Sequence, residues 1–241
     1  MTEKTNKSVR LSVLISGGFS GAYEQLLPEF ERMSGIRVTT GSGASQGAGP
    51  QTIAAQLARG VPADVVILSR EGLSDLIAAN KIAAGTDVDL ARVPLGVAIR
   101  AGAQNPDVSS VESFKRALLN AKTVAVPGST SGIWLGTDLF PRLGVANEIS
   151  IKVAPRGSEA TAMVAAGSVD LAVLPVSEIV HAVGVDFAGG IAREIQFVQT
   201  FSAAIVAGSV EIEGSKRLIE FLASARARDA IGNCGMEPLA T

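Results

Sequence analysis

Residues 9–40 have the sequence VRLSVLISGGFSGAYEQLLPEFERMSGIRVTT, in which two apolar segments flank an amphipathic one. The apolar segments, 9–15 and 36–40, have the length and composition of buried β-strands. Residues 21–34 carry apolar side chains at the three- and four-residue spacing of one helical face, which predicts a helix. Strand, helix and strand in this order predict a parallel pair of strands with the helix packed against them.

The alternation of strands and helices continues outward to the end of the chain. It predicts an α/β protein with two Rossmann-like lobes and a ligand cleft between them. The first lobe would comprise residues 9–92 and 199–241, the second residues 93–198, and residues 1–8 a flexible tail. The remaining predicted elements are helices over 50–59, 71–79, 111–119, 132–139, 159–166, 216–224 and 228–232, and strands over 63–68, 93–100, 123–126, 151–153, 171–174 and 196–207.

The composition excludes several classes of protein. Hydrophobic residues make up 47% of the 241 residues and charged residues 18%, which excludes a disordered chain. A net charge of −2 and an aromatic fraction of 4% provide neither a basic surface nor stacking side chains for a nucleic acid. One cysteine, Cys234, and one histidine, His181, exclude an intramolecular disulfide and a multi-histidine site, so we expect no metal.

The amino-terminal segment helps to predict the cellular compartment of the protein. Its first residues are basic, and a short apolar segment follows that Ser12 interrupts and that ends at Ser16. This pattern predicts a β-strand preceded by a polar tail, not a signal peptide. No segment reaches the roughly 20 apolar residues needed to cross a bilayer, so we expect no membrane insertion. The protein would be cytoplasmic if this amino terminus is native and periplasmic if a signal peptide has been removed.

Serine, threonine and glycine cluster after six of the predicted strands, at the sheet edge where α/β proteins bind ligands. Each cluster can place free backbone N–H groups and a hydroxyl at the start of a helix, which suits a small anion. The alternative is structural, because serine and threonine are also the preferred N-caps and glycine is a preferred turn residue. The clusters occupy residues 16–20, 41–47, 69–70, 127–132, 156–158 and 176–178.

The glycine spacing argues against a nucleotide. The glycines of 41–47 are spaced one residue too far apart for the dinucleotide-binding fingerprint, and no Walker lysine follows any glycine-rich turn. Together with the scarcity of metal ligands, this spacing leads us to expect no cofactor.

Two arginines lie in the serine- and glycine-rich clusters. Arg70 and Arg156 could each hold a carboxylate through two parallel hydrogen bonds, and a surface or inter-lobe ion pair is the alternative for both. Two aromatic residues, Phe19 and Trp134, lie beside the clusters and are candidates to line a pocket, with core packing as the alternative.

Glu178 is a candidate general base if the cleft removes it from water. His181 lies one helical turn further along the chain and is the second candidate. The alternative is that the two side chains pair with each other on an exposed helix.

Several segments together resemble a known family. The first cluster with its helix, the cluster at 41–47, the sequence PADV at 62–65 and the closing GMEPL at 235–239 resemble the periplasmic molybdate-binding proteins. These are relatives of the type II solute-binding proteins of ABC transporters. The resemblance covers nearly the whole chain and implies two α/β lobes hinged by two crossing strands, with one oxyanion held by serine hydroxyls and backbone amides.

The resemblance also assigns residues to that anion site. The corresponding positions are Ser16 or Ser20 for the first loop, Ser42 or Ser45 for the second, and 129–131 with 176–177 for the other lobe. The tyrosine that the family carries near the last strand of the second lobe is absent, and LPVSE stands at 174–178. Arg70 and Arg156 would also add positive charge to the site. The missing tyrosine and this added charge favour an organic polycarboxylate over molybdate as the ligand.

One branch of the family is more similar to this chain. Its shared segments SGGF, ADVVI, VDLARxPxGxAxRAGA and VSE correspond to residues 16–19, 63–67, 88–103 and 176–178. That branch is similar to aconitate isomerase, which interconverts cis- and trans-aconitate by a proton shift in an allylic system. The resemblance implies a solute-binding fold that catalyses a reaction without a cofactor.

Two functions therefore remain open. In an isomerase, arginines and backbone amides would hold a tricarboxylic acid while Glu178, or behind it His181 and Tyr23, moves the proton. A binding protein would hold a small anion, either an organic carboxylate or a molybdate- or tungstate-type oxyanion, and pass it to an ABC-transporter permease if exported. We favour the isomerase and expect a monomer; a cytoplasmic sensor ranks last. The residues expected to bind the ligand are Ser16, Gly17, Gly18, Phe19, Ser20, Ser42, Ser45, Arg70, Ser129, Thr130, Ser131, Arg156 and Ser177.

Overall fold

The chain forms a mixed α/β fold in which strands and helices alternate. A computed structural model describes residues 9–239, so the tail predicted over 1–8 lies outside the described residues. In chain order the elements are β1 (Arg10–Ile15), α1 (Gly17–Ser34), β2 (Arg37–Ser42), α2 (Ile53–Ala58), β3 (Val65–Ser69), α3 (Arg70–Ala78), β4 (Val88–Arg100), α4 (Val111–Asn120), β5 (Thr123–Pro127), α5 (Thr130–Trp134), α6 (Phe140–Leu143), β6 (Ser150–Ala154), α7 (Gly157–Ala165), β7 (Leu171–Pro175), β8 (Val185–Gly190), β9 (Val198–Ile205), α8 (Ile212–Leu222), α9 (Arg228–Asn233) and β10 (Glu237–Pro238). A π-helical stretch, Leu135–Leu139, joins α5 to α6, and a single 3-10 turn, Val176–Glu178, follows β7.

Within the described residues the strands form one curled sheet in the order β2-β1-β3-β9-β4-β7-β5-β6, with β8 and β10 paired to β4. β1 is parallel to β2 and β3, and β5 is parallel to β6 and β7. The long strand β4 joins the two halves, because its residues 88–94 pair with β9 and its residues 95–99 pair with β7. The predicted architecture of two α/β lobes is confirmed.

Each half of the sheet has its own hydrophobic core. Phe19 and Tyr23 of α1 pack with Phe201 of β9 in the first half. Phe114 and Phe140 pack with strands of the second half. Full burial of a large apolar side chain contributes roughly 1.5–3 kcal/mol, so several such residues hold each half together. Among the helices of residues 9–239, none has the length and apolar character needed to span a bilayer.

The helix α1 begins at Gly17, whereas the sequence predicted a start at residue 21. Ser16 adopts the extended conformation of an N-cap, with φ −88 and ψ 155, and the chain is helical from the next residue onward. The segment 16–20, expected to be a loop, is therefore mostly the first turn of a helix. Because the helix starts at Gly17, the first backbone N–H groups of α1 lie directly at the end of β1.

Several strands also differ from the prediction, β4 and β8 the most. β4 begins at Val88 instead of residue 93, and β8 had not been predicted. β8 contains Asp186, Gly189 and Gly190, which are poor strand formers, and it is stabilised by its pairing with β4. Pairing between segments far apart in the chain produces no periodic pattern in the local sequence, so the sequence did not predict this strand.

Candidate functional site

The carboxyl ends of the parallel strands border a cleft that contains two adjoining spaces. The larger, which we call the outer cavity, has a volume of about 710 Å³ and is lined by residues of α1, β2, α7 and the turn after β7. The smaller, which we call the inner chamber, has a volume of about 30 Å³. The residues that line both spaces are Gly17, Arg156 and Glu178.

The start of α1 presents unpaired polar groups to the inner chamber. Ser16 occupies the N-cap position, but its hydroxyl does not cap the helix; it is buried and has no hydrogen-bond partner among the described residues. The Ser16 N–H donates to the carbonyl oxygen of Ile67 at 2.8 Å and fixes the residue beside β3. Gly17 and Gly18 provide N–H groups of the first helical turn, which have no intrahelical acceptor.

Glu178 lies where the two spaces meet. Its carboxyl group lies between Gly17 and Gly157, the first residues of α1 and α7, and a methyl group on either glycine would overlap it. Burial raises the pKa of Glu178 from 4.5 to about 7, and the positive charge of Arg156 opposes this shift. Within residues 9–239 no group donates a hydrogen bond to this carboxyl. A carboxyl that titrates near neutral pH is suited to both accept and release a proton.

Arg156 supplies the positive charge of the cleft. It is the N-cap residue of α7, and its guanidinium donates to Ser42 Oγ at 3.1 Å and to a Glu159 carboxylate oxygen at 3.0 Å. Its side chain is 41% exposed, so the ion pair with Glu159 is screened by solvent. Among the described residues that line either space, Arg156 is the only arginine or lysine.

Several hydrogen bonds cross between the lobes around the site, and three of them join residues of the serine- and glycine-rich clusters. Ser69 Oγ, at the end of β3, and Thr130 Oγ1, at the start of α5, form a buried hydrogen bond of 2.7 Å. The Gln46 N–H donates to Ser129 Oγ at 3.3 Å. The third is the bond from Arg156 to Ser42, described above. The described conformation therefore has the two lobes in contact across the cleft.

Most of the residues expected from the sequence border this cleft. Ser16, Gly17, Gly18, Ser45, Ser129, Ser131, Arg156 and Glu178 line the inner chamber. Gly17, Ser20, Ser42, Arg156, Ser177, Glu178 and His181 line the outer cavity.

Three expected ligand residues lie outside both spaces. The guanidinium of Arg70 donates to Asp87 at 2.7 Å and to Asp89 at 2.8 Å, which is the ion-pair alternative considered above. Phe19 is fully buried and packs on Phe201 with ring centroids 6.5 Å apart. Thr130 is buried in the hydrogen bond between the lobes.

The second and third candidate bases have partners of their own. His181 Nε2 lies 2.9 Å from the carbonyl oxygen of Asn233, so the expected alternative of pairing with Glu178 is not observed. Tyr23 is buried, and its hydroxyl forms a hydrogen bond of 2.8 Å with Thr40 Oγ1. Burial raises the pKa of Tyr23 to about 12, which keeps the phenol protonated at neutral pH. Trp134 stacks on Phe197 with ring centroids 5.0 Å apart and belongs to the core.

Several residues that line the inner chamber were not among the predicted ligand residues, and Gly157 and Gln199 are two of them. Gly157 follows Arg156 in a cluster that had been noted, and its closeness to Glu178 depends on how α7 packs. Gln199 is on β9, and its buried side-chain oxygen has no partner among the described residues. A single glutamine within a strand has no sequence pattern that would mark it as a site residue. Its place in the site becomes clear only from the position of β9 in the sheet.

The two lobes, the cleft between them and its polar, glycine-rich lining define a protein that encloses a small ligand. Residues 11–237 match the family of bacterial extracellular solute-binding proteins, and the chain belongs to that family. It is 34% identical to an aconitate isomerase from Pseudomonas sp. over 230 residues, which are 95% of this chain and 88% of that protein.

Two solved structures have the same fold at low sequence identity. The periplasmic molybdate-binding protein of Azotobacter vinelandii matches with a TM-score of 0.71 and 19% identity, over 94% of this chain and 98% of that one. The sulfate-binding protein SubI of Mycobacterium tuberculosis H37Rv matches with a TM-score of 0.74 and 21% identity, over 96% of this chain and 87% of that one. The expected periplasmic-binding-protein fold is confirmed.

Proposed function

We propose that this protein is an isomerase of a small tricarboxylic acid that interconverts cis- and trans-aconitate by proton transfer. The observation that carries the proposal is the carboxyl of Glu178, which has a pKa of about 7 and lies at the junction of the inner chamber and the outer cavity. The aconitate isomerase from Pseudomonas sp., 34% identical to this chain, supports the same activity.

The reaction needs one base. Ionised Glu178 removes a proton from the methylene carbon next to the double bond of the substrate, and the electron pair of that C–H bond spreads through the allylic system onto a carboxylate oxygen. Return of the proton to the opposite end of the allylic system moves the double bond by one position. The conformation of the bound substrate sets the geometry of the new double bond. The proton taken is returned, so no co-reactant is consumed.

The negative charge that develops in this reaction needs donors already in place. Arg156 can hold one carboxylate, and the remaining charge would meet backbone N–H groups of Gly17, Gly18 and Gly157 and the hydroxyl of Ser16. Fixed donors of this kind typically contribute about 100- to 1,000-fold each to the rate of a reaction that forms an oxyanion. Arg156 and these groups are therefore proposed as the binding residues, with Glu178 as the base.

A second candidate function is binding without turnover. Membership of the solute-binding family supports it, because the family is described by binding and not by catalysis. In that case the cleft would hold a small anion, and an ABC-transporter permease would be the partner of the exported protein.

Proton NMR of the purified protein with excess trans-aconitate in D₂O distinguishes the two functions. We expect cis-aconitate to appear at a rate proportional to the protein concentration, and deuterium at the carbon that receives the proton would show that the Glu178 carboxyl exchanges with solvent between the two transfers. Omission of the protein is the control for spontaneous conversion. Absence of conversion at high protein concentration would remove the isomerase proposal and leave the binding function.

A further inference from the structure

Residues 176–181, which we call the Glu178 turn, follow a strand of the second lobe but pack against both lobes. The turn comes directly after β7. Ile179 is buried in a hydrophobic cluster of the second lobe, whereas Val176 is buried in the core of the first lobe and Val180 packs against that core. The position of Glu178 therefore depends on how the turn is attached on each side.

The Glu178 turn has little structure of its own. It contains a single turn of 3-10 helix, and the N–H groups of Ile179 and Val180 both donate to the carbonyl oxygen of Val176. The hydrogen bonds of a 3-10 turn have poorer geometry than those of an α-helix. The Glu178 carboxyl accepts no hydrogen bond among the described residues. Contacts with neighbouring elements must therefore hold the turn and its carboxyl in place.

His181 attaches this turn to the first lobe. Its Nε2 atom lies 2.9 Å from the carbonyl oxygen of Asn233, the last residue of α9. A carbonyl oxygen can only accept, so the ring N–H donates, and it can do so whether the imidazole is neutral or charged. The carbonyl groups in the last turn of a helix have no intrahelical donor, which makes this one a suitable acceptor.

Gly235 provides a second attachment, from outside the cleft. Its φ of +70° is left-handed, and a methyl group on it would lie 2.7 Å from Val176 Cγ1. Residues 233–236, which we call the anchor segment, are fixed to the first lobe, because Cys234 and Met236 are buried in its core and β10 pairs with β4 directly afterwards. The Glu178 turn is thus held against a segment that cannot move independently of the first lobe.

We propose that His181 is a positioning residue that, together with Gly235, holds the Glu178 turn against the anchor segment and so keeps the Glu178 carboxyl between the first residues of α1 and α7. This inference deepens the proposed isomerase and rests on it for the role of Glu178 as the base. It gives His181 a function in which its ring transfers no proton to the substrate. Without the attachment, the carboxyl would move away from the two helices and toward the solvent of the outer cavity.

Isomerisation kinetics separate positioning from binding. His181→Ala removes the donor, whereas His181→Gln keeps an N–H at the same number of bonds from the backbone. We expect kcat to fall roughly ten- to a hundredfold in His181→Ala, because a displaced base transfers protons poorly, and His181→Gln should retain most of the activity. Propane-1,2,3-tricarboxylate has no double bond and cannot be isomerised. In isothermal titration calorimetry it should bind both variants within about twofold of the wild type, because the anion donors are unchanged.

The carboxyl can also be observed without turnover. In ¹³C NMR of ligand-free protein labelled at the glutamate δ-carbons, Glu178→Gln identifies the signal. Its titration midpoint should lie near 7 in the wild type and be lower in His181→Ala, because a carboxyl nearer the solvent regains hydration. Loss of a positive charge at this position would instead raise the midpoint. Tyr23 and Glu24 of α1 and Arg156 of α7 also line the outer cavity, and every variant retains them.

Gly235→Ala tests the same attachment without touching the cleft, because Gly235 lines neither space. Its methyl group would displace Val176 and the turn, so it should lower kcat and the carboxyl midpoint as His181→Ala does. Gly208 also has a left-handed φ, +84°, and apart from its chain neighbours no atom lies within 4 Å of the position of its methyl group. Gly208→Ala is therefore the matched control for backbone strain and should change neither quantity.

The proposal requires both His181→Ala and Gly235→Ala to lower the midpoint. It is overturned if either leaves the midpoint unchanged or raises it, or if His181→Gln shifts it as far as His181→Ala. It is also overturned if the wild type isomerises aconitate and His181→Ala keeps its full kcat. If Gly235→Ala does not fold, the two His181 variants carry the test. If the wild type does not isomerise aconitate but the midpoints move as expected, the isomerase proposal fails and the attachment of the Glu178 turn stands.

Discussion

The carboxyl of Glu178 lies against two glycines and is partly withdrawn from water, and this burial raises its pKa from 4.5 to about 7. Because only the ionised carboxylate can accept a proton from the substrate, activity should depend on its deprotonation. We expect kcat/KM for aconitate to rise with pH, with a midpoint near 7, and to level off above it. Initial rates measured by NMR between about pH 5 and 9 would check this profile.

Two variants assign the profile to one residue. The other charged or titratable groups that line the outer cavity with Glu178 are Tyr23, Glu24, Arg156 and His181. Glu178→Gln should abolish isomerisation while it retains binding of propane-1,2,3-tricarboxylate, and His181→Gln should keep the midpoint. Full turnover by Glu178→Gln would rule out Glu178 as the base, and loss of the midpoint in His181→Gln would assign the profile to His181.

The same pKa shift predicts a cost in stability at high pH. The pKa of Glu178 is about 7 in the folded protein and near 4.5 when the residue is hydrated. The folded state therefore retains a proton that the unfolded state loses, so its stability falls as pH rises from about 4.5 through 7. Glu178→Gln removes this dependence and should raise the free energy of unfolding by about 1–3 kcal/mol at pH 8, with little change near pH 4.5. Urea unfolding at both pH values measures it, and an equal effect at both would contradict the burial of the carboxyl.

Among the elements, the starts of α1 and α7 determine how closely the backbone approaches Glu178. A methyl group at Gly157 would overlap the carboxyl carbon and both carboxyl oxygens. The carboxyl is at the end of a flexible side chain and can move away, so Gly157→Ala should fold and displace the base from its position between the helices. We expect kcat to fall at least tenfold and the melting temperature to change by only a few degrees.

The control for that substitution is Gly232→Ala. Gly232 lies in α9, and apart from its chain neighbours and the backbone of its own helix no atom lies within 4 Å of the position that its methyl group would occupy. Alanine in a helix is favoured over glycine by up to about 1 kcal/mol, so this variant should be slightly more stable and fully active. An unchanged kcat in Gly157→Ala, alongside an active Gly232→Ala, would show that the approach of α7 to Glu178 does not matter for catalysis.

The sequence is sufficient to predict elements whose signals are local. The apolar strand before Ser16 and the helix after it follow from the periodicity of residues 9–34, and the position of Glu178 after a buried strand indicates the edge of the sheet. Long-range packing leaves no such signal. Arg70 lies in the right kind of turn, but its guanidinium is bound by Asp87, which directly precedes β4, and by Asp89 of β4. Gln199 reaches the site because β9 returns between β3 and β4.

For the molecule as a whole, the site is complete only when the lobes are in contact. The inner chamber takes Ser16 and Ser45 from the first half of the sheet and Ser129, Ser131 and Gly157 from the second. The halves share the continuous strand β4, which pairs with β9 in the first half and with β7 in the second. The hydrogen bonds that cross the cleft therefore contribute to ligand affinity by stabilising the conformation in which the donors converge.

The buried hydrogen bond between Ser69 and Thr130 is the strongest test of that coupling. Thr130→Val keeps the shape of the side chain and removes the hydroxyl, which should cost about 0.5–1.5 kcal/mol in the closed form. Affinity for propane-1,2,3-tricarboxylate should fall roughly two- to tenfold, and the radius of gyration of the free protein, measured by small-angle scattering, should increase. Thr137→Val removes an exposed hydroxyl bonded to the carbonyl of Ile133 on the same helical stretch, and should change neither quantity. If Thr130→Val also changes neither, closure does not depend on this bond, and the affinity of the cleft must come from the ligand contacts themselves.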